Sequence, residues 1–302
     1  MKRRTFLLSM MASACRPRAP QANTPADQTV PRVQPDRPEN VPNPLRLGLM
    51  PVLEPEVIRA QFAPLAGYLG RTLGTKVELS IAKDYAGAID NAIEGRVDIA
   101  QLSPLAYVAA KDRLPALYPL AANISEGSST YSGYLIARRT LKIRSPQQLK
   151  GRRLGLINLH SASGYLYPYS FLLERGVDPA KDCTIDLHER HDRLLNALSE
   201  GTVDVGGTFS GALNHAEQQG VDIRGLEIIA KTGRIPHDAW VAHPTLDPAL
   251  HNAAQFALLN LSTRTHAGRL ILAPIQSINA FTEVSDAHYH RVRAVQRRVS
   301  NA

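Results

Sequence analysis

Ser161-Ala162-Ser163-Gly164 is the stretch of this chain whose residue types and spacing best suit chemistry. It follows an apolar run at 154–158 and precedes a helical pattern starting near Tyr165. Small side chains let the backbone approach a ligand, while two hydroxyls and the first N–H groups of a helix aim donors at one spot. That is an anion site built without formal charge. Plain helix capping would need only one serine. Neither a Walker loop nor a dinucleotide fingerprint accompanies the stretch, so no cofactor is expected. His188-x-x-His191 has a spacing open to metal ligation, yet it spans a strand-to-helix junction without a third ligand, and no metal is expected. A hydrolase built from Ser161 or Ser163 with His191 would need an orienting acid and a nucleophile elbow. Neither is visible, so the chain is not read as an enzyme.

These residues need elements to hold them, and the chain carries such elements in duplicate. Leu47-Gly48-Leu49 recurs 107 residues later as Leu154-Gly155-Leu156. The stretch 92–99 recurs as 197–205, offset by 106 from its glycine onward. Tyr85, Ile89, Ala92 and Ile93 share one helical face, and Gly95 stands where a left-handed cap is needed. Leu194, Leu195, Leu198 and Gly201 repeat that pattern. The same offset maps Tyr85 onto His191, each at the start of the helix that follows the second strand of its unit. Helix N-termini favour anions, so the two residues are expected to face each other across a cleft.

Strands are expected near 45–50, 77–82, 97–102 and 116–122 in the first unit, and near 152–157, 183–188, 203–208 and 226–231 in the second. Helices fill the gaps, among them 54–73 and 163–175, with two more at 247–261 and 286–299. Such alternation is an α/β pattern with mostly parallel sheets. Stretches 132–139 and 237–243 read as two strands joining the units. The expected architecture is two α/β lobes with a two-strand hinge. Lobe 1 comprises 45–131 and 244–302, and lobe 2 comprises 132–243 with the hinge strands at its ends. Ligands of α/β sheets bind beyond the carboxyl ends of the strands, which here face the cleft.

Residues 1–15, MKRRTFLLSMMASAC, have the basic, apolar and small-residue layout of an export signal. Arg3-Arg4-Thr5-Phe6-Leu7 resembles a twin-arginine motif, although a generic basic start reads the same way. Ala12-Ser13-Ala14-Cys15 resembles a lipobox, with Ala12 where leucine is usual; ordinary signal cleavage after Ala14 is the alternative. Residues 16–44 hold eight prolines and almost no large apolar side chains, which makes an extended tether. The expectation is a lipoprotein anchored through Cys15 in the periplasm or cell envelope. Cys183, the other cysteine, reads as a buried free thiol. The chain has a net charge of +8, of which three charges belong to Lys2, Arg3 and Arg4 and one to 16–44. The surplus left to the body matches Arg291, Arg293, Arg297 and Arg298, so no basic face points to nucleic acid.

Several ordered motifs resemble the periplasmic phosphate/phosphite/phosphonate-binding proteins of ABC importers. They are Asp84-Tyr85-Ala86-Gly87, Val97-Asp98-Ile99-Ala100 with Ser103-Pro104-Leu105, Ser161-Ala162-Ser163-Gly164-Tyr165, Ile235-Pro236-His237-Asp238, and the run from Ala280 to Tyr289. The resemblance runs from about residue 45 to the C-terminus and implies the two-lobed type II binding-protein fold. It implies ligand contacts by Tyr85, Ser103 and His191, by the loop Ser161, Ala162, Ser163 and Gly164, and by Tyr131 and Asp238 beside the hinge. Two departures stand out. Gln101-Leu102 replaces a frequent aromatic, and Thr208-Phe209-Ser210-Gly211 lacks the second acid of aminophosphonate binders. A small oxyanion or a less charged organic ligand is therefore preferred to 2-aminoethylphosphonate. The implied partner is an inner-membrane ABC permease for a monomeric receptor. A sensor of the same fold, presenting an oxyanion such as arsenite to a histidine kinase, is the alternative.

Overall fold

A computed structural model describes residues 40–275 and 277–301, together with Pro35 and Pro38. The expected export signal, Cys15 and most of 16–44 lie outside the described residues. The chain runs β1 (Leu45–Leu49), α1 (Pro55–Leu73), β2 (Val77–Ile81), α2 (Tyr85–Ile93), β3 (Ile99–Leu102), α3 (Pro104–Arg113) and β4 (Tyr118–Ile124). It continues with β5 (Thr130–Arg138), β6 (Arg153–Ile157), α4 (Tyr167–Leu173), α5 (Pro179–Asp182), β7 (Thr184–His188), α6 (His191–Glu200), β8 (Val205–Phe209), α7 (Ser210–Gln218) and β9 (Leu226–Pro236). β10 (Ala239–Ala242), α8 (Pro248–Leu259), α9 (His266–Leu272), β11 (Ala280–Thr282) and α10 (His290–Ser300) complete it.

Two sheets result, in the orders β11-β4-β10-β3-β1-β2 and β7-β6-β8-β5-β9. The parallel part of each is a triplet with the first strand of the unit in the middle, β2-β1-β3 and β7-β6-β8. The remaining strands pair antiparallel. Of these, β4, β5, β9 and β10 flank the two crossings between sheets, at 125–129 and at 237–238. β10 pairs wholly within the first sheet, so the second crossing is a short link rather than a strand spanning 237–243.

The duplication holds atom by atom. The Arg46 N–H donates to the Asp98 carboxylate at 2.7 Å, and its guanidinium donates to Gly95 O at 2.9 Å. In the second sheet the Arg153 N–H donates to Asp204 at 3.0 Å, and its guanidinium to Gly201 O at 2.6 Å. Gly95 and Gly201 have φ of 68° and 83°, the left-handed region that glycine enters at little cost. A Cβ on Gly48 would press on Val97, and one on Gly155 on Val203, so the same pair packs closely in both units.

Three apolar clusters fill the layers. α1, α8 and α9 cover one face of the first sheet, around Leu47, Trp240 and Phe281. The Trp240 indole is fully buried, and its N–H is satisfied by Asn123 Oδ1 at 2.7 Å. Leu154, Leu156, Leu172 and Val177 fill the outer face of the second sheet. The third cluster runs from α2 and α3 through to α6 and α7, joining the lobes. α10 straddles both lobes: Arg293 binds Asp112 of α3 at 3.0 Å, and Arg298 pairs with Glu174 just after α4. Cys183 is half-buried immediately before β7, its Sγ 3.4 Å from Leu149 O.

Candidate ligand-binding cleft

The carboxyl ends of both parallel triplets open on one cavity of about 450 Å3. Tyr85 and His191 begin α2 and α6 and line it from opposite lobes, each 2% exposed. Asp84 caps α2 by accepting from the Gly87 N–H at 2.7 Å, which fixes where Tyr85 leaves the backbone. His191 Nδ1 lies 3.0 Å from Thr208 Oγ1, and burial pulls the imidazole down to about 4. The ring is therefore neutral near pH 7. A neutral imidazole carries one N–H, on Nδ1 or on Nε2, and the Thr208 hydroxyl suits either tautomer because it can accept from Nδ1 or donate to it.

The serine loop forms a wide i→i+5 turn, Ala162–Leu166, that runs straight into α4. Such turns recur at functional sites because they leave backbone groups unspent. Ser161 Oγ accepts from the Gly164 N–H at 3.1 Å, while the Ala162 and Ser163 N–H groups sit in the first turn with no helical carbonyl to bond. The Ser161 hydroxyl faces Tyr85, and that of Ser163 faces Tyr131. Burial pushes both phenols upward, so they remain protonated donors. Gly164 is not among the lining residues. A Cβ there would lie 2.3 Å from Ile157 Cγ1, so the glycine seats the loop against β6 rather than touching the cavity. Ser103 caps α3 in sequence position and lines the cavity, with its Oγ 3.5 Å from His160 O of the other lobe.

Asp238 lies in the second crossing, half-buried, and accepts from Gln101 Nε2 at 2.8 Å. Burial raises its carboxyl to about 7. The phenols of Tyr85, Tyr131 and Tyr289 surround it. Its neighbour His237 packs on Tyr131 at 5.1 Å and is held neutral by burial, at about 4. His237 Nε2 is buried with no hydrogen-bond partner among the described residues. Phe209 meets both His191, at 4.9 Å, and Tyr131, at 5.6 Å, and closes an aromatic wall. Arg234 is the one arginine or lysine among the described lining residues, and Thr130 Oγ1 holds it at 2.8 Å. Glu54, next to the lining residue Leu53, pairs with Arg190 and Arg193, one residue before and two after the lining residue His191 of the other lobe.

Every sequence-predicted ligand residue except Gly164 thus borders the same cavity. His188 and His191 diverge, His188 turning to Asp186 at 3.5 Å and His191 to Thr208. Gln101 as the partner of Asp238 was not foreseen, since 137 residues separate them and only the β3–β10 pairing brings them together. Thr208 and the apolar side near α1 were also missed. Thr208 stands next to the carboxyl end of β8, where the strand-end rule points, whereas Ile58 and Phe62 read as ordinary core residues of α1.

A family model described as ABC transporter, phosphonate, periplasmic substrate-binding protein matches residues 47–289. The chain belongs to this family. The phosphate-import protein PhnD of Mycolicibacterium smegmatis is 28% identical over 222 residues, covering 70% of this chain and 69% of that protein. The phosphonates-binding periplasmic protein of Escherichia coli is 25% identical over 202 residues, covering 65% and 60%. Among solved structures, a methylphosphonate complex of a Prochlorococcus marinus PhnD protein superposes with a TM-score of 0.78 at 19% identity, over 85% of this chain and 98% of that one. A binding component of a Pseudomonas aeruginosa phosphonate transporter gives 0.79 at 23%, over 85% and 87%. The fold is that of the two-lobed type II periplasmic binding proteins. Members of this family are substrate-binding components that work with a membrane permease, and the chain is not an enzyme. The sensor alternative draws no support from these relatives, which are import or binding components by name.

Proposed function

We propose that the protein is the extracytoplasmic receptor of an ABC importer and captures a phosphorus oxyanion, whether phosphate, phosphite or a phosphonate, between its lobes. One observation carries the reading. The hydroxyls of Tyr85, Tyr131, Ser161 and Ser163 gather with His191 at one buried end of the cavity, contributed by both lobes. A hydrogen bond to a charged acceptor contributes about 1.5–3 kcal/mol, so several preset donors suffice without an ion pair. The donors come from two bodies, so a ligand touching both favours the closed arrangement by its differential affinity. Asp238, neutral below about pH 7, adds a carboxyl O–H to the set and burdens a fully ionised anion above it. Ser103, Ala162 and Asp238 complete the proposed contacts, while Gly164 supports the loop. The receptor acts as a monomer tethered to the membrane through Cys15.

A calorimetric melting panel on the purified protein tests the reading. Phosphate, phosphite and methylphosphonate at about 100 times Kd should each add roughly 2.7 kcal/mol of stability if they bind only the folded state. Stabilisation by none of the three, alongside stabilisation by an unrelated solute such as an amino acid, would overturn it.

A further inference from the structure

Besides the crossings at 125–129 and 237–238, the two lobes are tied by side chains. Arg298 reaches Glu174 from α10, which packs on α3 and α4 alike. A second tie stands beside the cavity. Glu54, the residue just before α1, takes Arg190 and Arg193 of the other lobe, the latter at 3.4 Å. The two ends of this tie are built differently. The Arg190 side chain is 14% exposed, and its guanidinium also bonds Asp192, at 3.1 and 3.3 Å. Arg190 is thus preset at the start of α6 whether or not Glu54 reaches it. The Glu54 side chain is 49% exposed, and its carboxylate is the group that arrives from across the cleft. Arg190 occupies the N-cap position of α6, so whatever holds it also holds the backbone from which His191 enters the cavity. Ser103 Oγ and His160 O also meet across the lobes. They do so at 3.5 Å, the outer limit of a hydrogen bond, so the charged contacts of Glu54 are the stronger tie.

We propose that Glu54 is a positioning residue for ligand capture: by taking Arg190 and Arg193 it holds the lobes together over the bound anion and sets how long that anion stays. This rests on the capture of an oxyanion between the lobes, as read above, and adds a determinant of its residence. Glu54 needs no contact with the ligand, and the two guanidinium groups match its charge. The tie exists only where the lobes meet, so it lowers the free energy of the closed arrangement and not of the parted one. The anion enters between parted lobes and leaves when they part again, so the effect belongs to the dissociation rate.

Stopped-flow binding to the full chain reads the two rates apart, with methylphosphonate as the probe and phosphate and phosphite in reserve. Glu54→Gln keeps the size of the side chain, and Arg190 keeps Asp192, so no buried charge is orphaned. Glu56→Gln is the control. It makes the same change of charge in the first turn of α1, but removes only a pair with Arg59 inside one lobe. An exposed ion pair is worth up to about fivefold in an equilibrium constant, and the burial of Arg190 puts this one near the top of that range. Release from Glu54→Gln is expected to be about fivefold faster than from the parent, with association within about twofold and Glu56→Gln like the parent in both rates. If Glu54→Gln releases the probe as slowly as the parent, if Glu56→Gln matches it, or if only association slows, the role of Glu54 falls while the oxyanion reading stands. If none of the three probes binds the parent, the oxyanion reading falls, and small-angle scattering of the proteins alone decides the tie. A larger radius of gyration for Glu54→Gln than for the parent and Glu56→Gln upholds it, and equal radii overturn it.

Discussion

Asp238→Asn isolates an ionisable group of the cavity whose charge changes near neutrality. In the folded protein the carboxyl titrates at about 7, because desolvation raises it by more than the Gln101 hydrogen bond lowers it. When the carboxyl is neutral it presents an O–H to the ligand; when ionised it presents a negative charge. If the anion binds only the neutral form, the apparent Kd is the intrinsic value divided by the neutral fraction. That fraction falls from roughly nine-tenths at pH 6 to about one-tenth at pH 8, a tenfold loss of affinity. In Asp238→Asn the amide oxygen keeps the Gln101 bond, and the amide N–H stands in for the carboxyl O–H at every pH. Methylphosphonate should be titrated into both proteins by calorimetry from pH 6 to 8. The ligand's own second ionisation affects both alike and cancels in the ratio. Parent affinity divided by variant affinity should fall about tenfold across the range. A flat ratio would refute the assignment of a neutral, donating Asp238, and a rising one would mean that the carboxylate itself serves the ligand.

Ser163→Ala should weaken methylphosphonate binding by about tenfold or more with little change in melting temperature, whereas Ser161→Ala should cost affinity and also about 1 kcal/mol of stability for the lost cap on Gly164. Equal melting behaviour of the two variants would contradict the capping role. Gly164→Ala drives a Cβ into Ile157 and should destabilise the fold by about 1–3 kcal/mol while lowering affinity through a displaced serine loop; parent-like melting and binding would count against that contact. The His191 pKa is depressed to about 4, so the unfolded chain takes up its proton first as pH falls below about 6.5. Stability should therefore drop by up to about 3 kcal/mol between pH 6.5 and 4, and His191→Gln should remove that share of the drop in denaturant titrations. An unchanged slope in the variant would show that His191 titrates freely.

The elements were legible because their signals are local. The α1 face, the glycine cap at Gly95 and its copy at Gly201 all lie within short windows, and the structure places them within a residue or two of expectation. The repeat then lent His191 a position that no single histidine could claim. The site was less legible where partners are remote. The Gln101–Asp238 bond and the Thr208–His191 contact depend on strand order, which periodicity does not encode. Stretch 237–243 reads as a continuous strand because alternation of apolar residues does not reveal where a chain leaves one sheet for another.

The strand order of the first sheet bears on how the protein comes to be made. β10 lies in the middle of that sheet, between β3 and β4, yet it is synthesised only after the whole second sheet. A nascent chain of some two hundred residues therefore holds β3 and β4 with unpaired inner edges, the kind of edge that recruits foreign strands. The second sheet is built from one uninterrupted stretch, β5 to β9, and can fold before the first is complete. Assembly of the first lobe thus waits on closure of a loop well over a hundred residues long, from β4 to β10, a slow step because so many contacts are distant in sequence. The wide interval between the arrival of β4 and that of β10 is when this protein most needs a chaperone.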